Sequence, residues 1–303
     1  MTNELKKVTK QIDKEFIKYF INDTDMETIF VVGSMAHDDY IDRMDNDYDI
    51  RVIASDISRD KIINFEKFLD NLSKELSTET ISVGYSTLVG PVNHKVSNNS
   101  KNILIHAMIH RCDQMDDFLP VTHKYQYGTR YRIVYGKDNL KRFKDVRYNI
   151  DELVNAHEGL KYCIDMLKKQ EYRYLTWDTN NNKCEFNYHV EPMTEDMVIE
   201  NCFYSVNKFV NNLMNYCKFE NYDIPEDKVI FCIRLLGQEY VNESTLFLLQ
   251  GLLNKYESMI KAMFKSPINV TIKLLEQFET RINYLDDVFL KKDQIKTKKL
   301  IRS

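Results

Sequence analysis

The sequence is poor in glycine (8) and proline (5), so long flexible linkers and low-complexity arms are not expected. It lacks a basic excess: the formal net charge is −4, which argues against a protein that coats nucleic acid. It lacks a CxxC pair. The six cysteines (112, 163, 184, 202, 217 and 232) are scattered, several among apolar residues at helical spacing, the pattern of free buried thiols in a reducing compartment. It also lacks an apolar signal core in MTNELKKVTKQIDKEF and any run long enough to span a membrane, so a cytoplasmic protein is expected. One basic run, Lys291 to Arg302, reads as a solvated tail.

What is present is an ordinary globular mixture, 43% hydrophobic and 29% charged, with 19 Tyr and 16 Phe. At 303 residues, two domains are the natural division. Residues 4–21 and 60–76 carry apolar side chains at helical spacing. Between and after them, Thr28–Val32, Tyr48–Ala54, Thr80–Val89, Asn102–Ile109 and Tyr131–Tyr135 read as strands. From Asp151 the pattern turns helical: 151–170, 195–218, 226–236, 243–265 and 271–290, with 176–194 read as a polar loop. The expected domains are therefore a mixed one, residues 1–148, and a helical one, residues 149–303.

The chemistry concentrates in VVGSMAHDDYIDRMDNDYDIRVIA, residues 31–54. An apolar strand stops at Gly33-Ser34, and a second strand opens with Asp47-Tyr48-Asp49. Alternation along a strand places Asp47 and Asp49 on one face, where two carboxylates repel unless a cation lies between them. A hard ion such as magnesium suits such oxygens and retains room for phosphate. Gly33 lets the backbone approach a phosphate, and Ser34 is expected to open a helix whose first amides bind a triphosphate. With two metal ions, an acceptor hydroxyl attacks the α-phosphorus in line and pyrophosphate leaves.

These residues resemble the signature of the polymerase-β-like nucleotidyltransferase superfamily, in particular the small bacterial aminoglycoside and lincosamide nucleotidyltransferases. The resemblance is firm over residues 28–54 and extends through the strands to residue 136. It implies an α/β (α+β) fold, with a mixed sheet flanked by helices and an all-helical domain after it. It also implies transfer of a nucleoside monophosphate, commonly AMP, from a nucleoside triphosphate to a small-molecule acceptor. Gly33 and Ser34 match the phosphate-binding pair, and Asp47 and Asp49 match the metal ligands. Lys208, the one cation in the apolar stretch Cys202–Leu213, matches helices that lend a lysine to the triphosphate, although a snorkelling surface lysine is the safer reading.

The sequence departs from that pattern in one respect. The superfamily places a third carboxylate on a later strand, and neither later strand here carries one at its centre. Glu79 and Asp113 lie only at the margins. His106 reads either as a general base or metal ligand, or as a core histidine bonded to backbone, and the two readings stand level. His110, on the same face, reads as structural. Minor candidates are His37 after the GS turn, the cluster Lys124, Arg130, Arg132 and Lys137 for the triphosphate, and His157-Glu158. Tyr188, Asn201, Tyr204, Asn207 and Asn211 offer an acceptor pocket. Three alternatives remain open. They are a transferase acting on protein or RNA, a catalytically impaired nucleotide- or partner-binding module, and a structural protein in which GS…DxD is coincidence.

Overall fold

The structure is a computed structural model describing residues 3–36, 45–90, 101–113, 115, 119–180, 185–263 and 266–292. Cys184, His37 and most of the C-terminal basic run lie outside the described residues. The chain divides into two compact units. One joins Met1–Val146 to Arg173–His189, and the other joins Arg147–Tyr172 to Val190–Ser303.

The first unit is built on a five-stranded mixed sheet. Its strands are β1 (Met26–Val32), β2 (Asp45–Ala54), β3 (Ile81–Ser86), β4 (Lys101–Arg111) and β5 (Tyr131–Gly136), in the order β3-β4-β2-β1-β5. β4 runs parallel to β2 and β3, while β1 is antiparallel to β2 and β5. Helices α1 (Asn3–Phe20), α2 (Arg59–Leu76) and α3 (Val121–Thr129) flank it.

Alternation gives this sheet two different faces. Ile29, Val31, Tyr48, Ile50, Val52, Ile103, Ile105, Ala107 and Ile109 point one way and bury against Leu5, Ile12, Phe16 and Phe20 of α1 and Ile62, Phe65, Leu69 and Leu72 of α2. Ser58 caps α2, its hydroxyl accepting from the Lys61 amide at 3.2 Å. The opposite face is apolar at one end only, where Phe30, Val32 and Ile53 pack with Met115, Leu119, Tyr127, Leu140 and Phe143. The other end of that face carries the polar side chains of β2 and β4.

The second unit is helical: α4 (Ile150–Lys169), α5 (Glu195–Phe219), α6 (Lys228–Leu236), α7 (Glu243–Leu253), α8 (Glu257–Met263), α9 (Pro267–Arg281) and α10 (Leu285–Val288). A reciprocal capping box between Asn149 and Glu152 starts α4, and Thr194 caps α5. Phe209 stacks on Phe278 and Phe231 on Phe289 in its interior. The expected single helix over 243–265 is two, divided where Lys255 takes a positive φ of 56°. No described helix is long and apolar enough to cross a membrane.

The expected loop over 176–194 is instead part of a hairpin, β6 (Glu171–Asp178) and β7 (Glu185–Pro192). Within the first unit, Trp177 packs on the helix-covered core, the Arg59 Nε donates to the Thr179 carbonyl, and Val89 and Leu175 exchange two backbone hydrogen bonds of 2.9 Å. Tertiary anchoring, rather than an apolar face of its own, makes this polar segment extended.

Candidate active site

The site forms where β1 ends beside the start of β2, since Val32 is paired with Asp49. Beyond Val32 the chain enters a one-turn 3-10 helix, Gly33–Ala36, whose Met35 and Ala36 are buried in the helix-covered core. The α-helix expected to start at Ser34 is therefore only this short turn, and the Ser34 side chain lies outside the described residues. Gly33 has φ +76°, and a β-carbon there would sit 3.0 Å from Asp49 Oδ2. Glycine is thus required twice, for backbone conformation and for close approach to the carboxylate.

Asp47 is exposed and lies on the same face as Asp49, whose side chain retains 27% exposure. The other oxygen of Asp49 is turned into the protein. His106, directly opposite on β4, places Nδ1 2.9 Å from Asp49 Oδ1. Arg51 places Nη2 3.1 Å from the same atom. Burial pushes the Asp49 carboxyl up, but the His106 hydrogen bond and the charges of Arg51 and His106 together hold it below the ordinary value. Burial likewise disfavours the Arg51 cation, and Tyr127 and Asp49 more than offset it.

His106 has both ring nitrogens engaged, for Nε2 lies 2.9 Å from the Leu88 carbonyl. A carbonyl only accepts, so Nε2 carries a proton. His110, further along the same face, is driven down to about 3 by burial, then by Arg51 and His106 nearby, and is neutral in the folded protein. Its Nε2 and the Arg51 Nε have no hydrogen-bond partner among the described residues.

Neither marginal acid comes near. Asp113 pairs with Arg111 at 2.6 Å, and Arg111 is in register with Ala54, at the far end of β2 from Asp47. Glu79 precedes β3, whose first residue, Ile81, is level with Lys101, whereas Ser86 is level with His106. Arg132 is on the helix-covered face, where it donates to Asp13 Oδ2 and to the Tyr48 hydroxyl at 2.9 Å each, and that hydroxyl donates to Asp13 Oδ1. Arg132 ties α1 to the sheet instead of facing a triphosphate. Lys124 and Arg130 fall on and after α3, and Lys137 follows β5. Lys208 belongs to α5 in the helical unit. Burial pushes it down to about 8, with Cys163 acting in the opposite sense. Asn201 is fully buried on the same helix. His157 and Glu158 fall on α4, with side chains outside the described residues.

A hard divalent cation fits the donors that are present. Two carboxylates share a face, Oδ2 of Asp49 meets open space that a side chain at position 33 would fill, and all the donors are oxygens. Among the described residues no group of three or more His, Cys, Asp or Glu is placed to hold a metal, so phosphate and water would complete the coordination.

No protein-family model and no curated protein matches the chain. Among solved structures it is similar to spectinomycin adenyltransferase AAD(9) from Enterococcus faecialis with ATP and spectinomycin, at 11% identity, covering 90% of this chain and 98% of that one, with a TM-score of 0.48. It is also similar to a toxin-antitoxin with AMP-PNP, at 15% identity over 52% of this chain and 96% of that one, with a TM-score of 0.25. The toxin-antitoxin MntA-HepT matches at 14% identity over 52% and 94%, with a TM-score of 0.23. At these identities and scores the likeness carries no argument, and the chemistry rests on this chain's own residues.

The residue that sequence reasoning missed is Arg51. Its signal was available: a charged residue inside the apolar run Ile50-Arg51-Val52, two positions after Asp49 and so on the same face.

Proposed function

We propose that this chain is a magnesium-dependent nucleotidyltransferase that moves a nucleoside monophosphate, AMP in the first instance, from a nucleoside triphosphate to a hydroxyl of a small-molecule acceptor. The observation that carries the reading is the seating of the Gly33 turn directly on the Asp49 carboxylate, with Asp47 beside it on the same face. A backbone that close leaves space for phosphate where a side chain would otherwise stand. Magnesium, when bound, neutralises the phosphate charge and polarises the α-phosphate.

The chain's own residues do the rest. Asp47 and Asp49 hold the cation, and the Gly33-Ser34 turn positions the triphosphate. The acceptor oxygen bonds to the α-phosphorus as the α–β phosphoanhydride oxygen departs with pyrophosphate, and the hydroxyl proton passes to solvent. Catalysis on this scheme is positioning and charge neutralisation. His106 serves here as an orienting group, because neither of its nitrogens is free to take the acceptor's proton. The net charge of −4 favours a small acceptor over nucleic acid.

A second reading is favoured by one observation, the two-carboxylate site with Arg51 paired to Asp49. It is a nucleotide-binding module without turnover. Pyrophosphate release with each of the four triphosphates, magnesium and a panel of hydroxyl acceptors separates the two, measured on wild type and Asp49→Asn beside equilibrium nucleotide binding. Release that Asp49→Asn abolishes supports the transferase. Metal-dependent binding without release supports the module. Nucleotide binding that ignores metal and both aspartates sinks each of them.

A further inference from the structure

We propose that Arg51 and His106 are positioning residues that clamp Oδ1 of Asp49, leaving Oδ2 as the one oxygen this carboxylate offers to a bound cation. The proposal rests on the reading of Asp49 as a metal ligand and names what orients it in place of a third acid.

The clamp is fixed on both sides. Arg51 is 5% exposed. Its Nη1 donates to the Ile50 carbonyl at 3.1 Å and the His106 carbonyl at 2.7 Å, and its Nη2 reaches Asp49 Oδ1 at 3.1 Å. The planar fork therefore ties β2 to β4 across one rung of the sheet while holding the carboxylate. His106 is fixed from its far side by Leu88, so Nδ1 is the nitrogen that faces the carboxylate. Two arrangements satisfy it. Protonated, Nδ1 donates to Asp49 Oδ1. Neutral, it accepts from Arg51 Nη2, 3.2 Å away. The ring stands in the same place in both, gripping Oδ1 directly in the first and through Arg51 Nη2 in the second.

Arg51 Nη2 on Oδ1, with the His106 ring held against both, leaves Oδ2 as the oxygen beside the Gly33 backbone, where a β-carbon would come within 3.0 Å. An oxygen already engaged by Arg51 is the poorer ligand, so a cation at Asp49 is met chiefly through Oδ2. The Arg51 charge also offsets one of the two carboxylates, so the pair attracts a free cation less than two unpaired carboxylates would and repels a triphosphate less. Groups that orient a ligating side chain typically change metal affinity by about 10–100-fold when removed.

The test uses the full chain, an ATP analogue with a non-cleavable α–β linkage and manganese as the probe metal. It reads the metal concentration giving half-maximal analogue binding. Four variants are compared: Arg51→Lys keeps the charge and loses the fork; His106→Gln keeps a donor near the Leu88 carbonyl and loses the bond to Asp49; His106→Asn keeps a donor toward Asp49; Asp49→Asn removes the ligand. Thermal melting reports folding for each. The clamp predicts a midpoint raised about 10-fold or more in Arg51→Lys and His106→Gln, with His106→Asn recovering much of the loss. A merely structural role would lower melting temperature and leave the metal midpoint of the folded protein in place. If Arg51→Lys does not fold, the Gln and Asn pair decides. Wild-type midpoints in Arg51→Lys and His106→Gln, with Asp49→Asn impaired, overturn the clamp and leave the transferase reading standing. Analogue binding that is independent of metal in wild type overturns the transferase reading itself.

Discussion

The two faces of the five-stranded sheet are made by the same strands, and neighbouring residues on β2 serve opposite ends. Tyr48, Ile50 and Val52 disappear beneath α1 and α2, while Asp47, Asp49 and Arg51 turn the other way. The first face is closed mainly by apolar contact, with an ionic tie at Asp13, Tyr48 and Arg132. The second is apolar in part, and on its polar part the Asp49 carboxylate is set against Arg51 and His106. Stability and chemistry are thus separated by a period of two residues rather than by distance. A one-residue slip of β2 would exchange them entirely.

That separation can be broken from either side. The largest expected effect is on the polar face: Asp47→Asn and Asp49→Asn each reduce pyrophosphate release on the order of 10³-fold, in a protein that still melts cooperatively. On the apolar face Phe65→Ala costs about 3–5 kcal/mol by denaturant unfolding, yet the molecules that remain folded keep wild-type nucleotide affinity.

Between these lies His110, a buried neutral histidine on the polar face. Its value of about 3 is below that of an unfolded histidine, 6.5, so the unfolded chain binds a proton that the folded chain refuses. Stability is full above pH 6.5 and falls as the pH drops from there toward 3, by at most about 1.4 kcal/mol per pH unit from this group. In His110→Gln that part of the acid slope disappears from melting curves taken between pH 6 and 4.

Gly33→Ala strains a φ of +76° and crowds Asp49 Oδ2, costing about 1–2 kcal/mol in a thermal melt and weakening nucleotide binding as well. The smallest effect belongs to Arg132→Met. A half-exposed ion pair is worth about 1 kcal/mol or less, and the KM for nucleotide stays unchanged. A raised KM would return Arg132 to the triphosphate and blur the division between the faces.

Much of this arrangement was legible in the sequence. Helical spacing marked α1 and α2, β-branched runs marked β1 and β2, and GS…DxD marked the site. What alternation cannot supply is the identity of the neighbour on the next strand. Arg51 and His106 become partners only once β2 and β4 adopt their register, with Asp49 opposite His106. The β6–β7 hairpin escaped notice for a related reason. Its second strand is largely exposed and has no buried face to impose a period of two, so its sequence resembles a loop. The break at Lys255 was equally silent, since a non-glycine residue at positive φ leaves no compositional mark.

The pairing of Val89 with Leu175 bears on the order in which the protein becomes competent. Leu88, whose carbonyl steadies His106, adjoins a residue held by a hairpin that is synthesised only after the whole of α4. A nascent chain can therefore assemble the sheet and its helices while the brace behind the histidine is still missing. Closing so distant a contact carries an entropic cost that local strand pairing does not. A chain ending before Leu175 would carry Asp49 and His106 without the strand pairing beside Leu88.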